Sequence, residues 1–167
     1  MNIRAVVRSA LLLLVAAVSG CYQSPLPLGP PERGQSYRAL VGSWSCVDPK
    51  DASNRAVVTS RPLDAHRYEI EWREEPDHVT HYRAYATRIG SEALLNVEEV
   101  GPDRTDRRFV FLRARPVPGG ALSMAVVKED ALKGRTGQAA IAEITRRVTD
   151  PTLYGPFATC TATVPRP

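Results

Sequence analysis

The chain has 167 residues, 43% of them hydrophobic, and carries 22 lysines and arginines against 18 acids for a formal charge of +4. That length supports one domain with a real core, and charges scattered this evenly make neither a nucleic-acid footprint nor a polybasic or acidic tail. No internal repeat occurs, and no run of about 20 apolar residues suited to a membrane span.

The first element is a leader. Arg4 and Arg8, with no acid near them, precede the apolar run from Ala10 to Val18, which is the length of a secretory signal. Val18-Ser19-Gly20-Cys21 resembles the lipobox of bacterial lipoproteins, in which small residues precede a cysteine that receives diacylglycerol. The resemblance implies that residues 1–20 are removed as a signal peptide and that Cys21 becomes the lipid-bearing N-terminus. Each acyl chain would then contribute about 0.8 kcal/mol per buried methylene, holding the protein to the membrane. The second mature residue is Tyr22, not the aspartate that retains such proteins in the inner membrane. The implied location is therefore the cell envelope, on the outer membrane facing the periplasm. With Arg4 and Arg8 removed, 20 basic residues face 18 acids.

Residues 21–37 hold four prolines and few apolar anchors, a composition expected of a lipidated, semi-extended tether. Residues 38–167 are expected to form a single domain. Within it, strands are predicted over Leu40 to Val47, Ala56 to Ser60, and Arg67 to Arg73, where Tyr68, Ile70 and Trp72 share one face. Glu74 to Asp77 reads as a hairpin turn into a long strand from His78 to Ile89. Further strands are predicted over Leu94 to Val100, Arg108 to Arg113, and Leu122 to Val127, with a break from Pro116 to Gly120. The period then changes. Between Thr136 and Asp150, Ile141, Ile144 and Val148 recur at helical spacing opposite Glu143, Arg146 and Arg147, with Pro151 as a stop. A last strand follows over Phe157 to Val164.

Apart from Cys21 two cysteines remain, Cys46 and Cys160, in a compartment that oxidises paired thiols. They either form a disulfide or stay as two buried thiols. Cys46 shares a strand face with Trp44, and Cys160 shares one with Ala158 and Ala162, so both read as inward. A bond between them would close the first strand on the last.

Gly42-Ser43-Trp44 on the first strand resembles the Gly-x-Trp signature of the calycins, the lipocalin and avidin-like barrels, whose tryptophan plugs one end. The resemblance implies a mainly β fold, a small antiparallel barrel of about eight strands with one helix before the last, enclosing a pocket for a small apolar ligand. Thr149-Asp150 is a weak echo of the lipocalin Thr-Asp motif. Arg113 is available as the arginine that stacks on the tryptophan.

Chemistry-bearing residues are sparse. His78 and His81 lie three apart, hence on opposite faces of a strand, and do not converge as metal ligands. Ser43 and Ser45 lack a Gly-x-Ser-x-Gly elbow, Glu98 and Glu99 face apart, and no Gly-rich loop opens a helix to cradle phosphate. No catalytic constellation, no metal site and no cofactor is expected, and the chain is not read as an enzyme. Tyr68, Trp72 and Tyr82, with Trp44, Leu95, Val97 and Leu112, could line a ligand pocket or simply fill the core. The small residues Ala84, Ala86, Ala158 and Ala162 argue for empty space. Two functions compete: a membrane-tethered barrel that holds a small apolar molecule, and a structural or interaction lipoprotein with a filled core that acts on another envelope protein. A cavity of roughly 300 Å³ or more would favour the first.

Overall fold

A strand that alternates apolar and polar side chains satisfies its backbone only when paired on both sides, and closing the sheet removes the unpaired edges. The computed structural model describes residues 20–35, 37–74, 78–102 and 106–163. After a two-residue strand β1 (Gln23–Ser24), the chain forms β2 (Gly42–Asp48), β3 (Asp51–Pro62), β4 (Tyr68–Glu74), β5 (His78–Ile89), β6 (Glu92–Val100), β7 (Phe109–Val117) and β8 (Ala121–Val127). Helix α1 (Gly137–Arg146) precedes β9 (Tyr154–Ala162). From β2 to β8 each strand pairs antiparallel with the next, and β9 pairs with both β8 and β2. The result is a closed up-and-down barrel of eight strands, the architecture that the calycin resemblance implies.

The turns sort the barrel into two ends. Those after β3, β5 and β7 lie at the end where β2 begins, here called upper. Those after β2, β4 and β6, with the crossover that carries α1, lie at the lower end. Residues 75–77 of the expected hairpin turn, residues 103–105, residues 1–19 of the expected leader, and Val164 of the expected last strand fall outside the described residues.

Two apolar cores follow from the alternation. Inward residues such as Trp44, Val58, Leu95, Leu112, Leu122 and Val126 fill the bore. Outward residues Tyr85, Leu94, Phe109, Phe111, Val127 and Tyr154 make a second core beneath Ala140, Ile144 and Val148 of the helix region. The helix appears within the span that the 3.6-residue period predicts but ends at Arg146, before Val148, and Pro151 opens a 3-10 turn (Pro151–Leu153) instead of stopping the helix. Arg147 does not belong to its solvated face: it lies just past the last turn, where that period no longer applies. Its guanidinium donates to Ala131 O at 2.7 Å, Thr152 Oγ1 at 3.0 Å and Asp150 Oδ2 at 2.9 Å.

Cys46 and Cys160 are direct partners in the β2–β9 register, with Cα atoms 4.0 Å apart, and form a disulfide across the seam that closes the barrel.

Three expectations change. β3 runs from Asp51 to Pro62, well beyond Ala56 to Ser60, because pairing with β2 and β4 holds its exposed polar residues in the sheet. Pro116 continues β7 instead of ending it. On the β6 side β7 is paired only from Phe109 to Leu112, so a missing donor interrupts no ladder there.

The third change concerns the segment expected as a tether over 21–37: its residues 21–35 and Tyr37 lie on the barrel instead of forming a free tether. Below the pair Leu112↔Val126, β7 and β8 part, and the N-terminal segment fills the notch. Tyr22 N–H donates to Val127 O at 3.0 Å and Glu129 N–H to Gly20 O at 3.1 Å, while Gln23 and Ser24 pair with Val110 and Phe109. Tyr22 is 5% exposed and its ring meets Phe111. Farther on, the fully buried Asn96 accepts Leu28 N–H at 2.8 Å and donates to Tyr85 O and Thr87 Oγ1. Composition predicts a tether because apolar anchors are few; Tyr22, Leu28 and a row of hydrogen bonds to backbone groups suffice to dock it.

Candidate functional site

An eight-stranded barrel has a bore just wide enough for side chains to fill, so the sizes of its inward residues determine where space remains. Bulk collects at the lower end. The β8–β9 register skips Phe157 between Ala158 and Pro156, a β-bulge that leaves Phe157 packed with the bore residues beside Ala158. Its ring meets that of Trp72, on a strand that is not its neighbour, at 5.8 Å between centroids. Trp72 Nε1 donates to Glu74 Oε1 at 2.9 Å.

The upper half holds smaller side chains and two cavities. One, of about 50 Å³, lies deep against Trp44, Tyr68, Ile70, Ala84 and the Cys46–Cys160 bond. The other, of about 190 Å³, lies at the mouth against Ala39, Ala86, Ala93, Ala114, Pro116 and Tyr37. Leu40, Leu95 and Leu122 wall both. Ala39 and Pro116 are exposed, so the larger space is lined out to the surface. It lies where β6 and β7 part above Leu95↔Leu112, and the Arg115 Nη2 to Glu92 Oε1 ion pair, at 2.7 Å, crosses that parting.

The mouth is roofed by residues 37–40, which end in a single 3-10 turn (Arg38–Leu40). Two aromatic side chains hold the roof from below. Trp44 Nε1 donates to Leu40 O at 3.3 Å; Tyr37 N–H donates to Tyr68 Oη, and the Tyr68 hydroxyl donates back to Tyr37 O at 3.3 Å. Tyr68 is 1% exposed. Its hydroxyl thus fastens the roof and does not face a guest.

Neither lining includes an Asp, Glu, His, Lys or Arg side chain. The one polar side chain on the larger cavity is Tyr37, whose hydroxyl donates to Gln35 Oε1 at 2.8 Å. A lining of this kind offers a guest apolar contact and almost no hydrogen-bond partners.

Of the residues singled out from sequence, Trp44, Tyr68 and Leu95 come together on the deep cavity, and Leu95 reaches the mouth as well. Leu112 and Val97 pack in the bore wall. Trp72 sits at the lower end on Phe157, and Tyr82, opposite Ile70, lines neither space. Of the four alanines taken as a sign of space, Ala84 and Ala86 line a cavity; Ala158 and Ala162 do not. Sequence reading missed Tyr37, Ala39, Leu40, Ala93, Ala114, Pro116 and Leu122. Small side chains on the inward rows of β6 and β7 were the available signal. Arg113 stacks on the Tyr154 ring, 3.8 Å from its centroid, instead of on Trp44, because odd-numbered residues of β7 face outward.

Cys21, the candidate lipid carrier, bridges to Lys128 at the lower end and is half-buried. Burial pushes its thiol pKa up, partly offset by nearby Lys50. His78 pairs with Glu74 on the inward row of β5, and His81 pairs with Glu71 on the outward row. Among the described residues no three His, Cys, Asp or Glu side chains are placed to hold a metal ion, and no helix is long and apolar enough to cross a membrane. No protein-family model, curated protein or solved structure matches the chain.

Proposed function

We propose that this chain is a lipid-anchored protein of the bacterial cell envelope that holds one small apolar group in the mouth of a calycin-like barrel. The observation that carries the pocket is the cavity of about 190 Å³ walled by alanines, leucines and a proline. A dry apolar hole of about 150 Å³ is enough to take up benzene, whereas whole drug-sized ligands occupy pockets of roughly 300 Å³ or more. The guest is therefore a single ring, a short branched hydrocarbon or the tip of a longer chain, and not an entire lipid or pigment. The anchor rests on the leader and on Cys21 behind Val18-Ser19-Gly20, with the outer membrane as its site.

The Trp72–Phe157 packing at the lower end favours a second reading, that of an interaction lipoprotein with a largely filled core. In that reading the mouth receives an apolar side chain of an envelope partner. Thermal unfolding with benzene, toluene and indole tests the pocket. A guest that binds the native state only should stabilise it by about 2.7 kcal/mol at a free concentration 100 times its Kd. Absence of any shift, with no apolar molecule co-purifying in native mass spectrometry, would overturn the pocket and leave the second reading. For the anchor, globomycin should accumulate the uncleaved precursor, and Cys21→Ala should abolish palmitate labelling.

A further inference from the structure

The candidate anchor residue is part of the barrel wall. Gly20, Cys21 and Tyr22 run antiparallel to the end of β8, held by the Glu129 N–H to Gly20 O and Tyr22 N–H to Val127 O bonds on either side of the Cys21↔Lys128 bridge. The chain then turns down β7 as β1. An acyl group on the Cys21 nitrogen would restore an amide carbonyl where Gly20 O now accepts, so lipidation is compatible with this docking. A free tether of residues 21–37 would have a reach of roughly 20–25 Å and would let the domain swing. Docking leaves a reach of almost nothing between lipid and barrel.

The cavity is at the other end. Leu122, on its wall, and Lys128, beside Cys21, are six residues apart on the line of β8. At about 3.3 Å per residue and a strand tilt of about 40°, that is roughly 15 Å of height. Lys50, on the turn between β2 and β3, lies at the same lower end as Lys128 and Cys21.

We infer that the lipid holds the barrel upright, with its lower end against the bilayer surface and its mouth turned to the aqueous side, so that the guest enters from water and not from the anchoring membrane. This rests on the anchoring reading above.

Site-directed fluorescence on the full lipidated protein in phosphatidylethanolamine/phosphatidylglycerol vesicles tests it. With Cys21 lipidated and Cys46 bonded to Cys160, an added cysteine is the sole free thiol. Lys50→Cys labels the lower end and Ser91→Cys the upper, both at exposed turns. Headgroup-nitroxide lipid should quench the lower label several-fold more than the upper, and Pro118→Cys should repeat the upper result if Ser91→Cys misfolds. Ten Gly-Ser residues inserted between Cys21 and Tyr22 should bring the labels toward equality. Equal quenching without the insertion, or stronger quenching at Ser91, overturns the orientation alone. Protein that fails to float with the vesicles overturns the anchor and the orientation together.

Discussion

Ala86→Leu separates a hollow mouth from a filled one by the sign of its effect. Ala86 is 1% exposed, faces Leu95 across the β5–β6 register and lines the larger cavity. Leucine adds three carbons. If the 190 Å³ space accepts them, each contributes about 0.8 kcal/mol, so the variant gains up to about 2 kcal/mol. In a filled bore the same atoms would overpack it at a cost of about 1–3 kcal/mol. Urea unfolding reads the difference directly, since a gain near 2 kcal/mol moves the midpoint up by about 1 M at an unchanged m-value of about 2 kcal/mol/M. Ala158→Leu is the control. Ala158 is 4% exposed and lines neither space, and its substitution should destabilise by about 1–3 kcal/mol. The hollow-mouth reasoning fails if Ala86→Leu is destabilised as much as Ala158→Leu. It gains further if Ala86→Leu also loses the thermal shift with benzene.

The disulfide spans 114 residues, and removing it as Cys46→Ala/Cys160→Ala should cost up to about 5 kcal/mol in the chain-entropy account. Guanidinium unfolding should register that loss, while circular dichroism retains the strand signal because β2 and β9 still pair. Asn96→Leu strips a partner from Leu28 N–H and from Tyr85 O, costing about 2–4 kcal/mol; hydrogen exchange should speed at residues 26–35 before the barrel strands, and uniform exchange would contradict docking through Asn96. Asp150 has its carboxyl pKa lowered from 3.8 to about 2 by the Thr152 hydroxyl, then the Thr152 N–H, then Arg147. Because the folded value lies below the unfolded one, its contribution is fully present above about pH 4 and is lost as pH falls toward 2. Asp150→Asn should therefore flatten the stability curve over that window and leave it unchanged in shape near neutrality, as read by unfolding midpoints across pH.

Local pattern by itself determined the parts of this protein that depend on period alone. Tyr68, Ile70 and Trp72 face the bore because side chains alternate, and the same rule puts Cys46 and Cys160 on inward faces whatever the strand pairing. The helix followed from Ile141 and Ile144, whereas strand spacing left a barrel and a sandwich both open, and the closed barrel was implied by the resemblance to the calycins. Only the tertiary structure settled what depends on residues distant in sequence. The notch that captures residues 21–24 exists because β7 and β8 diverge below Leu112 and Val126. The bulge that turns Phe157 onto Trp72, and with it the filling of the lower bore, comes from a register shift between β8 and β9, which the helix region separates in sequence. Where space remains is a matter of volume summed over β5 to β8 and the roof at residues 37–40. A period of two reports which way a side chain points, but not what stands opposite to meet it.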